Sequence, residues 1–325
     1  MKLLYLSENQ NSATSFYRGS GILKQLSELF DGQLDYDIIN LQQVGMSWSN
    51  IVQYDIAWFE RPASQASLNF AKYLKRINIP FIVDYDDAVF NIPEGNSASQ
   101  YFTEGVKDRI NIMLLIADKV VVSTDALKDN MCSDAVVINN CLNLRHLPDM
   151  HSNSKRLNYV YWRGTDTHAD DLYHFKNELF SVSLEYSGKF VFHGYNPHFL
   201  TTGNQNCVYR PMSDIFEYFQ QIKANPPKVI IVPLQDNIFN RCKSNIAALE
   251  GIYFGATVIA PDFPELQIPG VMNYKEEYEF EDLLRESIEN KPNENMISWK
   301  YICENYNLEK ENLKRKELIL DVVNF

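Results

Sequence analysis

Short, almost uninterrupted apolar runs alternate in this chain with longer stretches of helical spacing, and that alternation restricts the fold most. Lys2–Leu6, Tyr36–Asn40, Ile56–Phe59, Phe81–Asp84, Lys119–Ser123 and Ala135–Asn139 read as strands of the first half. A strand covered on both faces by helices has no wet side, so it reads as a continuous apolar run rather than an alternating one. Between these runs, Ile22, Leu26 and Leu29, then Phe70, Leu74 and Ile77, then Val106, Ile110 and Met113 recur three or four positions apart, each set on one helix face. Strands and helices in regular turn predict an α/β fold with parallel sheets.

The character changes at 143–158, where Leu147 to Lys155 is polar and turn-prone and reads as a linker. A second set follows, with strands at Tyr159–Trp162, Lys189–His193, Cys207–Arg210, Val229–Pro233 and Thr257–Ala260. Helices are expected at Thr167–Phe180, Ser213–Ile222 and Lys243–Phe254, and one or two more between Asn295 and Val323. A length of 325 residues leaves room for about two domains. The expectation is two Rossmann-like domains facing a cleft, 1–150 and 151–295, with a terminal helix in 296–325 packing back on the first. Open parallel sheets bind ligands beyond the C-terminal ends of their strands, so the chemistry belongs in the loops after strands.

Composition removes several classes. Hydrophobic residues at 45% and charged residues at 22% are ordinary for a globular protein. The net charge of −12 is spread over both halves and is no nucleic-acid footprint. Lys72, Lys75 and Arg76 form the best basic cluster, on one helix face. Five cysteines without C-x-x-C spacing suggest neither a disulfide framework nor a zinc site. The apolar start at Leu3–Leu6 is too short for a signal segment, and no apolar run approaches a membrane span, so a cytoplasmic protein is expected.

Five places carry chemistry-bearing residues. In Val229 to Ala260, Lys243, Ser244 and Asn245 stand at an expected helix start, where a cation and free backbone N–H groups attract an anion such as phosphate. Glu250 follows on the same face and could accept hydrogen bonds from a ribose diol; a solvated Lys–Glu face is the plainer reading of the same spacing. Gly255 reads as the helix stop. In Tyr161 to Leu172, Arg163 projects from a strand end, and His168 stands in a first helical turn that Thr167 and Asp170 would cap as a box. In Ser15 to Gly21, Gly19 and Gly21 permit close backbone approach and Arg18 is a candidate ligand contact; a turn that needs glycine explains them equally. Asp84-Tyr85-Asp86-Asp87 ends a strand and contains Asp-x-Asp, read as a metal pair, a helix cap or an acceptor-orienting carboxylate in Asp86 or Asp87. Arg210, beside Tyr209, could stack on a base.

Phe239, Asn240, Lys243, Ser244, Glu250 and Gly255 together resemble the donor-binding motif of GT-B-fold glycosyltransferases, above all the large group 1-like family of retaining, nucleotide-sugar-dependent enzymes. That family carries a Glu-x7-Glu pair, and Cys242 stands at its first position here, leaving Asn240 as the substitute. It also places an Arg and a Lys after the first strand of the second domain; Arg163 keeps the first and His168 replaces the second. The resemblance implies transfer of a sugar from a nucleotide-sugar cosubstrate, a UDP-sugar first, to a hydroxyl acceptor, with retention and without a metal or other cofactor. Arg163 and Lys243 would stabilise the departing diphosphate, with Gly19, Gly21, Arg18, His168, Arg210, Asn240, Ser244, Asn245 and Glu250 around the donor. A saccharide or glycan is the expected acceptor. A hydroxymethylated base in phage-type DNA is the alternative, as is a noncatalytic nucleotide-sugar-binding protein.

Overall fold

The computed structural model describes residues 1–7, 12–41, 48–145, 157–290 and 296–324. The linker at 147–155 and the boundaries at 150 and 295 fall largely outside them.

The first half builds one sheet from β1 (Lys2–Ser7), β2 (Asp35–Asn40), β3 (Ile56–Glu60), β4 (Phe81–Tyr85), β5 (Lys119–Val122) and β6 (Val136–Val137). Its helices are α1 (Ala13–Arg18), α2 (Ser20–Glu28), α3 (Gln65–Arg76), α4 (Glu104–Ile116) and α5 (Asp125–Met131). The second half builds another sheet from β7 (Leu157–Gly164), β8 (Lys189–Gly194), β9 (Cys207–Pro211), β10 (Pro227–Ile231), β11 (Thr257–Pro261) and β12 (Met272–Tyr274). Around it lie α6 (Ala169–His174), α7 (Lys176–Glu185), α8 (His198–Thr201), α9 (Ile215–Ala224), α10 (Ile238–Arg241), α11 (Ile246–Tyr253) and α12 (Glu277–Glu289). The chain closes with α13 (Met296–Asn305) and α14 (Leu308–Val323).

Every strand pairing is parallel. The orders are β2-β1-β3-β4-β5-β6 and β12-β11-β10-β7-β8-β9. Each sheet therefore reverses its winding once, between β1 and β3 and between β7 and β10, and the crevice at such a reversal is where doubly wound sheets bind ligands. The central apolar runs are fully covered, with all five residues of β3 and of β4 buried, while the edge strands β2 and β9 stay partly exposed.

Both terminal helices settle on different halves. Trp299 of α13 lies against Tyr253 of α11, ring centroids 6.2 Å apart. Leu318, Ile319 and Val322 of α14 join Leu3, Tyr5, Ile56 and Trp58 in the core of the first sheet. The crossing falls at Asn307, bridged to Leu142, so Trp299 precedes it by about two helical turns.

Several sequence expectations need correction. The helix read at Thr167–Phe180 is a 3-10 turn at Asp166–His168 followed by α6 and α7. No Thr167 capping box forms; the Thr167 carbonyl instead accepts from Asn96 Nδ2 of the first half at 2.8 Å. The helix read from Lys243 begins at Ile246, because Cys242 is anchored in the first half's core and holds the preceding residues in a turn. Gly255 does stop α11: with φ at 69° it lets Gly255 N–H donate to the Ile252 carbonyl and Ala256 N–H to that of Gly251, the paired bonds of a Schellman ending. The short β12 carried no periodic signal.

Candidate active site

The two halves enclose a cleft with two lobes. The smaller, about 270 Å³, lies off the β7–β10 reversal and takes Tyr161, Arg163, Tyr218, Ser244, Ala247 and Glu250 from the second half and Tyr17, Asp86 and Asn140 from the first. The larger, about 570 Å³, is lined by Arg61, Asn96 and Phe102 on one side and by Thr165, Ser213 and Asp214 on the other. Thr14, Asp87, Arg163, His168 and Lys243 border both, and so mark the throat between them.

The throat is a balanced charge cluster. Lys243 Nζ lies 3.6 Å from Asp87 Oδ1 and 4.3 Å from the centre of the Phe239 ring. Arg61 reaches both acids, with Nη2 at 2.9 Å from Asp87 and Nε at 3.3 Å from Asp86. Burial pushes the Asp87 carboxyl up, but Lys243 and Arg61 outweigh it and hold the group below its ordinary value. For Asp86 burial wins and the carboxyl is pushed up, with Oδ1 buried and without a hydrogen bond. His168 Nδ1 is 3.1 Å from Asp171 Oδ2. Burial, then the Lys243 charge, hold its imidazole below the ordinary value, so it stands neutral beside the lysine.

The smaller lobe ends on Glu250. Tyr17 donates to its Oε1, Tyr218 donates to Oε2 at 2.7 Å, and Arg163 Nη1 lies 3.5 Å from Oε1. The Arg163 guanidinium rests 4.1 Å over the Tyr218 ring. Burial and the Glu250 charge push both tyrosine hydroxyls well above their ordinary range, so they stay protonated donors. Ser244 Oγ accepts from Asn140 Nδ2 at 2.8 Å, another link between the halves.

The expected residues thus divide. Arg163, Lys243, His168, Ser244, Glu250, Asp86 and Asp87 border the cleft. Arg18 does not: fully buried, it pairs with Asp84 at 2.6 Å and donates to the Ile138 carbonyl and Asn140 Oδ1, a strut beneath the cleft. Gly19 and Gly21 serve packing. A Cβ on Gly19 would meet the Tyr5 hydroxyl at 2.5 Å, and one on Gly21 the Phe16 carbonyl oxygen at 2.1 Å. Asn240 turns inward, donating to Asp171 Oδ1 at 2.8 Å and the Gln235 carbonyl at 3.0 Å. Asn245 is buried as the α11 cap residue. Arg210, on the edge strand β9, is aligned with His193 and lines neither lobe. Cys242 is completely buried in the first half's core, its carbonyl accepting from Thr124 Oγ1 at 2.9 Å.

Sequence reasoning missed Tyr17, Arg61, Asn140 and Tyr218. Tyr17 stands one position before Arg18, inside a segment singled out for its glycines. Arg61 directly follows a buried strand and takes φ 48°, a left-handed conformation that few large residues adopt; position after a strand was the available signal. Among the described residues, no three His, Cys, Asp or Glu side chains gather in a metal-holding group, and no helix is long and apolar enough to cross a membrane.

No protein-family model and no curated protein matches this sequence. Solved structures do match in shape along the whole chain. A glycosyltransferase from Rickettsia africae ESF-5 superposes with TM-score 0.63 at 15% identity, over 99% of this chain and 98% of that one. An alpha-glucosyltransferase bound to UDP and a 13-mer DNA gives 0.61 at 11% identity, over 98% of each chain. UDP-GlcNAc 2-epimerase from Neisseria meningitidis, bound to UDP-GlcNAc, gives 0.52 at 12% identity, over 99% and 100%. The chain has the GT-B fold.

Proposed function

We propose that the protein is a glycosyltransferase that takes a sugar from a nucleotide diphosphate donor, UDP first, and delivers it to a saccharide or glycan hydroxyl. Residues 151–295 would hold the donor, 1–150 present the acceptor, and 296–325 tie the two together. The observation that carries this reading is the convergence of Arg163, Lys243 and neutral His168 at the throat, off the reversal point of the second sheet. Sugar transfer from a diphosphate builds negative charge on the leaving group. Fixed cationic and N–H donors in a partly dry crevice stabilise that charge without reorganising, the largest single contribution in many enzymes. Arg163 and Lys243 would fill this role in place of a divalent cation, while neutral His168, its Nδ1–H turned to Asp171, would present Nε2 as a hydrogen-bond acceptor. Glu250 would accept the donor's ribose hydroxyls.

Asp86 and Asp87 face the same throat from the acceptor side. Held by two cations, Asp87 is a weak base, suited to orienting the sugar or its acceptor; Asp86, whose Oδ1 accepts no hydrogen bond and whose affinity for protons is raised, suits the acceptor hydroxyl. Transfer with retention, on the face the diphosphate leaves, fits an arrangement in which the leaving diphosphate itself can take the acceptor's proton.

A DNA acceptor has less support. The best basic cluster is already engaged in part, with Lys75 at 2.6 Å from Asp118 and Arg76 stacked on Tyr73. Melting shifts with a panel of nucleotide sugars, on the wild type and on Lys243→Ala, test the donor reading. One sugar nucleotide should stabilise the wild type and shift the variant far less; no shift with any of them would overturn it.

A further inference from the structure

Glu250 already has the pair of partners that a diol would bring. A carboxylate presents roughly four lone-pair sites over its two oxygens. Three donors occupy Glu250: Tyr17 and Arg163 on Oε1 and Tyr218 on Oε2. Two ribose hydroxyls would raise the demand to about five, more than the group can accept, so one donor must leave.

The three incumbents are not equally held. Tyr218 is locked within its own half, stacked on Tyr161 with an interplanar angle of 21° and met edge-on by Phe254. Arg163 lies over the Tyr218 ring and gives Glu250 its weakest contact. Tyr17 arrives from the other half on the six-residue α1, beside Phe16, which meets Phe216 edge-on at 5.4 Å. Its seat depends on how the halves meet.

We infer that Tyr17 is a specificity-determining residue of the donor site, its hydroxyl holding the Glu250 oxygen that a ligand's ribose diol must take. This rests on the donor reading above. Tyr17 excludes ligands too weak to displace it, and its release couples ribose recognition to the contact between halves.

The test is titration calorimetry of UDP and 2′,3′-dideoxy-UDP against wild type and Tyr17→Phe. Tyr17→Phe should bind UDP about tenfold tighter or more, since a hydrogen bond to a charged group no longer has to be broken, and bind the dideoxy nucleotide as the wild type does. If wild type binds UDP but the variant leaves the ratio of the two ligands unchanged, or loses UDP, the inference is wrong and the donor reading survives. If wild type binds no UDP, the inference and the choice of UDP as donor nucleotide fall together. Should Tyr17→Phe not fold, amide exchange across Ala13–Arg18 of the wild type answers the question. Exchange that differs between the two nucleotides is expected, and identical exchange overturns the inference.

Discussion

Lys243 of the second half holds its ammonium 3.6 Å from the Asp87 carboxylate of the first, at the point where the two lobes of the cleft join. The pair is partly open, with side chains 18% and 25% exposed, so its value to stability is small. Its value to catalysis is another matter if, as proposed, a leaving diphosphate gains its charge at this throat.

Lys243→Ala should therefore lower turnover of a sugar nucleotide about a hundredfold or more, as loss of one fixed donor to a developing anion does elsewhere. Its unfolding free energy should change by about 1 kcal/mol or less. Steady-state rates with denaturant melts separate the two quantities; equal activity would remove Lys243 from the chemistry.

Cys242→Ala should leave the Michaelis constant for the donor unchanged and destabilise the fold by about 1 kcal/mol. The thiol is buried against the first half's core and contacts the Ala126 carbonyl rather than the cleft. A large rise in that constant, without loss of stability, would show the thiol reaching the sugar after all.

Gly21→Ala tests whether the glycines serve a ligand or the fold. The added methyl would collide with the Phe16 backbone oxygen, which cannot rotate away, and should cost about 3 kcal/mol of stability. A variant that melts normally but loses nucleotide binding would restore the phosphate-loop reading.

What the sequence made legible follows from what each signal measures. Periodic burial placed the long strands and the helices whose apolar side faces a sheet, because those patterns record local geometry and packing together. Arg163, Lys243 and Glu250 were found because strand ends and an expected helix start point at a cleft. Arg18 and Asn240 look the same in sequence as residues that face a ligand, yet Arg18 is neutralised by Asp84 and the Asn240 amide donates to Asp171, partners 66 and 69 positions away. Tyr17 was illegible for the same reason in reverse. Its partner Glu250 lies 233 residues on, in the other half. Cys242, matched by position to the first Glu of the family's pair, lines neither lobe because the backbone there turns into the first half's core.

The stability contributed by Glu60 and Glu265 should fall as pH rises from about 5 to 7, against an opposite gain from His168 and His193, which burial holds below their ordinary value. Burial pushes the Glu60 carboxyl from 4.5 up to about 7, and burial with nearby Asp125 does the same to Glu265. A carboxyl with a folded value above its unfolded one favours folding fully below the unfolded value, and that contribution is lost as pH rises through the folded value. Asp87, held low by Lys243 and Arg61 despite burial, acts in the opposite sense and matters only in acid, below about pH 4. Between pH 5 and 7 the urea midpoint of the wild type should fall relative to that of Glu60→Gln; parallel profiles would contradict the assignment.

The central claim is that this cleft breaks the bond between a sugar and its nucleotide diphosphate, and liberation of UDP from a panel of UDP-sugars, with saccharide acceptors present, tests it most directly. The account predicts UDP release with one sugar, sugar carried to acceptor or water, and a rate about a hundredfold lower in Lys243→Ala. Intact nucleotide with every sugar would contradict it, as would a sugar that returns isomerised but still joined to its nucleotide.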